Sequence, residues 1–290
     1  MSTDPRLPDS DLPDEISGEG GRAVSEINRL ILESLAPLEV PPSHRASLRG
    51  RLMARVGDSK RRHAGLVTVR AGDGAWREIK AGVRTKTLRE GPEGASVLIE
   101  LAPGAALPVH RHRHLEEGIV LQGGLQLGDL ELGPGDYHVS PAGSRHGRIS
   151  SRQGGIAYLR GTSLGHTAAV FAELIGGLLP GDGPALHTVL AGEGNWEAIA
   201  EGAEQKLLWR DGDFISRFVR MAPGTRLPPH AHDGEEECIM LAGEAFFGDI
   251  LVRAGEFHLA LLGSMHQEAV SETGAMVFLR SREALPVPAA

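Results

Sequence analysis

The stretch Gly104-Ala105-Ala106-Leu107-Pro108-Val109-His110-Arg111-His112-Arg113-His114-Leu115-Glu116-Glu117-Gly118-Ile119-Val120-Leu121-Gln122-Gly123 decides the fold when it is read with Gly135-Asp136-Tyr137-His138-Val139-Ser140-Pro141-Ala142-Gly143-Ser144-Arg145-His146. Successive side chains alternate across a strand, so His110 and His112 leave the same face, and Glu116 shares it if the strand continues. Ile119-Val120-Leu121 carries that strand towards Gly123. The turn Pro141-Ala142-Gly143 delivers His146 from a separate strand. Three imidazoles and one carboxylate on one interior face suit a divalent first-row metal.

The pattern occurs twice. Residues 66–161 repeat as 186–281 at a constant offset of 120 without a gap, and about a third of the aligned positions are identical. Leu66-Val67-Thr68-Val69 matches Leu186-His187-Thr188-Val189, Trp76 matches Trp196, and Leu159-Arg160 matches Leu279-Arg280. A period this long marks a duplicated domain and not a solenoid. The second copy keeps Gly224, His230, His232, Glu236 and Gly243, then Gly255, Gly263 and His266, with Leu261 in place of Pro141. That replacement changes the stiffness of a turn more than the ligand chemistry.

These residues resemble the two motifs of the cupin family. Gly104 to Gly123 matches the first without departure; Gly135 to His146 matches the second, with Ser150 where many members carry Asn. The resemblance implies a mainly β fold, two tandem jelly-roll barrels, each with a metal inside. The expected divisions are a disordered 1–22, a helical arm at 23–62, cupin domains at 63–165 and 186–283 with a helix and linker at 166–185 between them, and a tail at 284–290. Because the fold hosts many activities, the motifs say little about function.

Composition narrows the classes. A formal net charge of −8 argues against a general nucleic-acid binder. The single cysteine, Cys238, permits no intrachain disulfide and reads as buried filler in the run Cys238-Ile239-Met240-Leu241. No apolar run approaches a membrane span, and Met1-Ser2-Thr3-Asp4-Pro5 lacks the features of a signal peptide, so a cytoplasmic protein is expected. Only 12 aromatics stand beside 39 Gly and 18 Pro, the balance of a turn-rich β protein with an aliphatic core.

Before the repeat, Val24, Ile27, Leu30, Ile31 and Leu35 form one helical stripe, and Leu48, Leu52 and Val56 a second. Both helices are expected to dock on another surface. Seven basic residues, Arg49, Arg51 and Arg55 among them, lie between His44 and His63 with one acid, Asp58. They read as a solvated face or as a docking arm for an acidic partner. Leu35-Ala36-Pro37 and Pro41 to Val56 resemble the segment that follows the sigma-binding domain of ChrR-type anti-sigma factors, in which a zinc-bound domain precedes a cupin. That resemblance implies a sigma factor as partner. The Cys-x-x-Cys pair of that zinc domain has no counterpart, because no cysteine precedes Cys238.

Other neighbours are assigned separately. Glu117 and Glu237 face away from the ligand side. His114 has Gly234 as its counterpart and is placed at the surface. His138 and His258 precede the last ligand of each set and read as structural histidines or as a proton relay in the cavity. Tyr137/Phe257 and Tyr158/Phe278 are assigned to the barrel core. A helix is expected over Thr167 to Leu174, followed by a glycine-rich turn through Gly176-Gly177.

Two divalent transition metals per chain are expected, one on His110, His112, Glu116 and His146, the other on His230, His232, Glu236 and His266. The donors leave zinc, iron(II), manganese and nickel open. Two functions follow: a metal-binding sensor or regulator like the cupin part of ChrR-type factors, or a metal-dependent dioxygenase of a β-diketone or thiol. A small-molecule ligand suits either, and a homodimer is one arrangement the sequence allows.

Overall fold

The computed structural model describes residues 26, 28–31, 41–164, 167–181 and 183–282. The expectations for 1–22 and 284–290 lie outside these residues. The chain divides into two compact units, Met1–Ser59 and Lys60–Ala290.

The first unit is helical where described, at Glu26, at Asn28–Ile31 and through most of Pro42–Arg62. Pro42 opens the latter helix, where a missing N–H costs nothing, and Lys60, Arg61 and Arg62 occupy its last turn, where the helix dipole favours cations. No residue of this helix is buried; Leu48, Leu52, Met53 and Val56 are each at least half exposed. Among the described residues, no helix is long and apolar enough to cross a membrane.

The second unit is built of antiparallel sheets. Seven strands form the large sheet of the first barrel, in the order His187–Val189, Tyr137–Ser140, Glu116–Gly123, Gly155–Thr162, Gly94–Leu101, Val83–Gly91 and Arg77–Lys80. The second barrel repeats this order with Leu66–Val69, Phe257–Ala260, Glu236–Phe247, Ala275–Arg282, Phe214–Met221, Ala203–Asp211 and Glu197–Ala200. The leading strand of each repeat therefore belongs to the other repeat's sheet. Leu66–Val69 pairs with Phe257–Ala260, and His187–Val189 with Tyr137–Ser140. This departs from the sequence reading, which kept 66–161 and 186–281 as separate barrels. Pairing with a strand from another repeat leaves no mark on the pattern of a four-residue strand.

Three apolar layers result. Val83, Ile99, Leu101, Val120, Leu125, Leu132 and Ala157 fill the first barrel. Val219, Met221, Cys238, Met240, Ala245, Val252 and Val277 fill the second. Between the two large sheets lie Leu98, Ile119, Tyr137, Tyr158, Phe218, Ile239, Phe257 and Phe278. Strands buried on both faces explain continuous apolar runs such as Val97-Leu98-Ile99, where alternate residues enter different layers. The aromatic pairs assigned to the barrel interior thus sit between the barrels. Duplication hid this, since a pattern with both faces apolar does not say which face is which.

The middle layer also holds two carboxylates, Glu117 and Glu237, both essentially excluded from solvent. Tyr137 Oη donates to Glu117 Oε1 at 2.6 Å, and Arg280 lies 3.3 Å from its other oxygen. Tyr158 and Ser96 donate to Glu237, with Arg89 at 3.3 Å and Arg160 at 3.5 Å. Buried charges need such partners, and here the partners come from both repeats.

The linker helix runs Thr167–Leu178, beyond the expected stop and through Gly176-Gly177. Contact overrides propensity here: a Cβ on Gly177 would lie 2.7 Å from His110 Cα. Arg111 and Arg145 donate to the carbonyls of Gly176 and Gly177 at 3.2 and 2.9 Å and so cap the helix against the first barrel's mouth.

Candidate metal centre

Each ligand set is positioned by the same backbone scheme. His110-Arg111 pairs with Arg145-His146, placing His110 opposite His146, and His230 likewise stands opposite His266. The His112 N–H donates to Ser144 O at 3.0 Å and its carbonyl accepts from Gly143 at 2.8 Å; His232 makes the equivalent bonds to Ser264 and Gly263. The intervening turn closes through Ser144 N to Pro141 O at 3.0 Å and through Ser264 N to Leu261 O at 2.9 Å, so the loss of proline leaves the turn intact. Gly123 and Gly243 sit at φ 68° and 69°, and a Cβ on either would lie 2.1 or 2.0 Å from the carbonyl oxygen of Gly154 or Gly274, just ahead of the neighbouring strand. Both motif glycines are therefore steric necessities.

In the second barrel His230, His232, Glu236 and His266 bring one donor atom each within 4.8 Å of the others. In the first barrel His110, His112 and Glu116 do so. His146 stands beside them, its ring centroid 5.2 Å from that of His112 and 5.6 Å from that of His110. The donor set fits a divalent cation. His112 Nε2, His230 Nε2, His232 Nε2 and His266 Nδ1 are buried and have no hydrogen-bond partner, an arrangement that costs energy unless something accepts their lone pairs. His110 and His230 use Nδ1 on the carbonyls of Pro108 and Pro228 at 2.9 and 3.2 Å, which leaves Nε2 for the site.

Electrostatics keep the imidazoles in the form that binds metal. Burial holds His112 down at about 3 and His146 at about 2, with neighbouring imidazoles adding to the effect. Burial likewise lowers His232 to about 4 and His266 to about 2. Glu236 is pushed up to about 7 by burial, against the Arg217 charge, and burial also raises Glu116. Cys238 is buried and its thiol is held far above its usual range, as expected of filler. His114 is half-buried.

His138 and His258 lie against the candidate ligand sets. His138 Nε2 lies 3.0 Å from His146 Nε2, and His258 Nε2 lies 3.0 Å from His266 Nε2. Several neighbours went unnoticed in the sequence. Arg217 is 2% exposed and lies near enough to Glu236 to oppose its protonation; it donates to Ser281 at 2.6 Å. Its signal was a cation between Ser216 and Phe218 in the strand Phe214–Met221, at a position where the first repeat has Val97. Phe247 stacks on His258 and His266 with centroids 5.2 and 4.8 Å away, where the first repeat has Leu127. The cavities beside the two sets measure about 40 Å³ in the first barrel and 30 Å³ in the second.

The profile of the ChrR cupin-like domain matches residues 64–164 and 185–284. The chain belongs to the ChrR cupin-like family. The anti-sigma-E factor ChrR of Cereibacter sphaeroides is 28% identical over 151 residues, which are 49% of this chain and 70% of that protein. Solved bicupins share the fold. A protein from Nostoc punctiforme described as a putative dioxygenase superposes with a TM-score of 0.59 at 16% identity, covering 77% of this chain and 85% of its own. The oxalate decarboxylase of Lactobacillus farciminis gives 0.54 at 19% identity, with 75% and 86% covered. Likeness at such identities speaks for the fold alone.

Proposed function

We propose that this chain is a metal-binding regulator of the ChrR type that holds one divalent transition metal in each barrel and does no chemistry on an organic substrate. The cavities carry this reading. Spaces of about 40 and 30 Å³ beside the ligand sets hold two or three waters, whereas ligand pockets run to roughly 300 Å³ and more. His110, His112, Glu116 and His146 would hold one ion, and His230, His232, Glu236 and His266 the other. Such an ion supplies a positive charge that neutral imidazoles and a carboxylate satisfy, and it ties together strands from both ends of each repeat. The exposed Arg49, Arg51 and Arg55 of the helix Pro42–Arg62 supply the surface for an acidic partner, with a sigma factor as the candidate the relative suggests.

Protein purified without added metal should contain two metals per chain by elemental analysis. His112→Ala should remove one and His232→Ala the other. One metal in fully loaded protein would overturn the two-site reading. The same protein loaded with iron should show no oxygen consumption with β-diketones or small thiols above the free-metal rate; steady turnover would establish the dioxygenase instead. Capture of an acidic partner should weaken with salt, because exposed charges are screened beyond about 10 Å at 0.1 M. It should be lost when Arg49, Arg51 and Arg55 are replaced by Glu while metal content stays at two.

A further inference from the structure

Two three-residue chains of hydrogen bonds run from the exchanged strands to the ligand sets. Thr68 Oγ1 lies 2.8 Å from His258 Nδ1, and His258 Nε2 lies 3.0 Å from His266 Nε2. In the other barrel Thr188 Oγ1 lies 2.8 Å from His138 Nδ1, and His138 Nε2 lies 3.0 Å from His146 Nε2. The strand register places Thr68 opposite His258 and Thr188 opposite His138. Thr68 is in the first repeat and His258 in the second, so each chain crosses from one repeat to the other. Both threonines and both histidines stand at the same offset of 120.

We infer that His138 and His258 are positioning residues for the two metal centres, and that each is oriented by a threonine donated by the opposite repeat. This rests on the metal-binding reading above. The chemistry of an imidazole chain carries it. A ring that gives one nitrogen to a cation presents N–H on the other and needs an acceptor there. His266 Nδ1 is buried without a hydrogen-bond partner on the ligand side, 3.5 Å from Glu236 Oε1, while Nε2 meets His258. With His266 Nε2–H donating to His258 Nε2, the proton of His258 must sit on Nδ1 and point at Thr68 Oγ1. The threonine thus accepts the Nδ1 proton that this tautomer of His258 presents, and His258 fixes the ring plane of His266. Phe247, stacked on both rings, holds the same planes in the second barrel. A histidine kept only as packing would not require a polar atom at the threonine position of both strands. The arrangement makes each centre a product of both repeats.

The test uses the full chain and zinc as the probe, with affinity measured by competition against a chromogenic chelator. In a His112→Ala background only the second centre remains. There Thr68→Val, which keeps shape and removes the hydroxyl, should weaken zinc binding about tenfold, the low end of the loss when an outer partner of a metal-bound histidine is removed. Thr68→Ser should restore it. In a His232→Ala background Thr68→Val should change nothing, and Thr188→Val should give the tenfold loss. Nitrogen-15 spectra of the metal-free full chain should show the tautomer of His258 shifting in Thr68→Val and that of His138 unmoved. Because Thr68 is only half-buried, the variants should melt within a few degrees of the parent. Unchanged affinity in Thr68→Val, equal loss at both centres, or failure of serine to restore binding would overturn the inference while leaving the metal centres standing. Absence of zinc binding in the parent would overturn both.

Discussion

At the residue scale, the histidines are held neutral by burial, and this has a consequence for stability. In metal-free protein His112 titrates at about 3, His146 and His266 at about 2, and His138, His232 and His258 at about 4, against an ordinary 6.5. An unfolded chain takes up these protons near pH 6.5 and the folded chain only below about 4. In that interval the unfolded state binds more protons, so stability falls as pH falls. Glu236, raised to about 7, acts in the opposite sense, since the folded chain binds its proton first and gains stability between pH 7 and 4.5. Burial raises Glu116 as well and lowers His230, so two carboxylates stand against seven imidazoles and the sum remains unfavourable. The urea midpoint of metal-free protein should drop between pH 7 and pH 5, and the drop should shrink in His112→Gln/His138→Gln. A midpoint that does not move would mean that the imidazoles are not held neutral. That the histidines and glutamate of each set lie together was legible in the sequence, because spacing on a strand fixes which side chains share a face. Arg217 and Phe247 were not, since a single side chain entering a barrel from a separate strand leaves no periodic trace.

At the scale of elements, the linker helix Thr167–Leu178 shows why glycine can be read wrongly. Gly176 and Gly177 suggest a turn, yet the helix continues through them and rests on the strand His110-Arg111. Replacing Gly177 by alanine would put a methyl 2.7 Å from His110 Cα and 2.8 Å from Val109 O, both backbone atoms that cannot swing aside. The helix or the strand must shift, at a cost of about 1–3 kcal/mol. Gly177→Ala should therefore weaken metal binding at the first centre and leave the second unchanged, as read by zinc titration in the single-centre backgrounds. Equal affinity at the first centre would show that the helix does not set the position of His110. The arm helix Pro42–Arg62 was foreseen from Leu48, Leu52 and Val56, whose spacing is helical; their exposure in the structure is what that spacing alone does not reveal.

On the scale of the whole molecule, duplication was legible from the unbroken offset of 120, but the exchange of strands was not. Nothing in Leu66-Val67-Thr68-Val69 distinguishes a partner in its own repeat from one in the other. The exchange predicts how a single repeat behaves alone. Residues 60–165 carry a leading strand with no place in their own sheet and an apolar layer with Leu98, Ile119, Tyr137 and Tyr158 uncovered. Expressed by itself, this fragment should form a symmetric dimer in which two copies trade that strand, and light scattering should give twice the fragment mass. A stable, folded monomer would show that the exchange is dispensable.

The middle layer carries a record of where that symmetry was given up. Tyr137 and Tyr158 both come from the first repeat, yet one phenol serves Glu117 and the other Glu237. The corresponding positions in the second repeat are Phe257 and Phe278, which have no hydroxyl to offer. Two identical subunits would each supply the same number of phenols, whereas here the first repeat supplies both and the second none. A single chain with two repeats is free of that constraint, because a substitution in one repeat does not appear in the other. Each half keeps one carboxylate, but both phenols belong to the first half, so the two halves are not interchangeable.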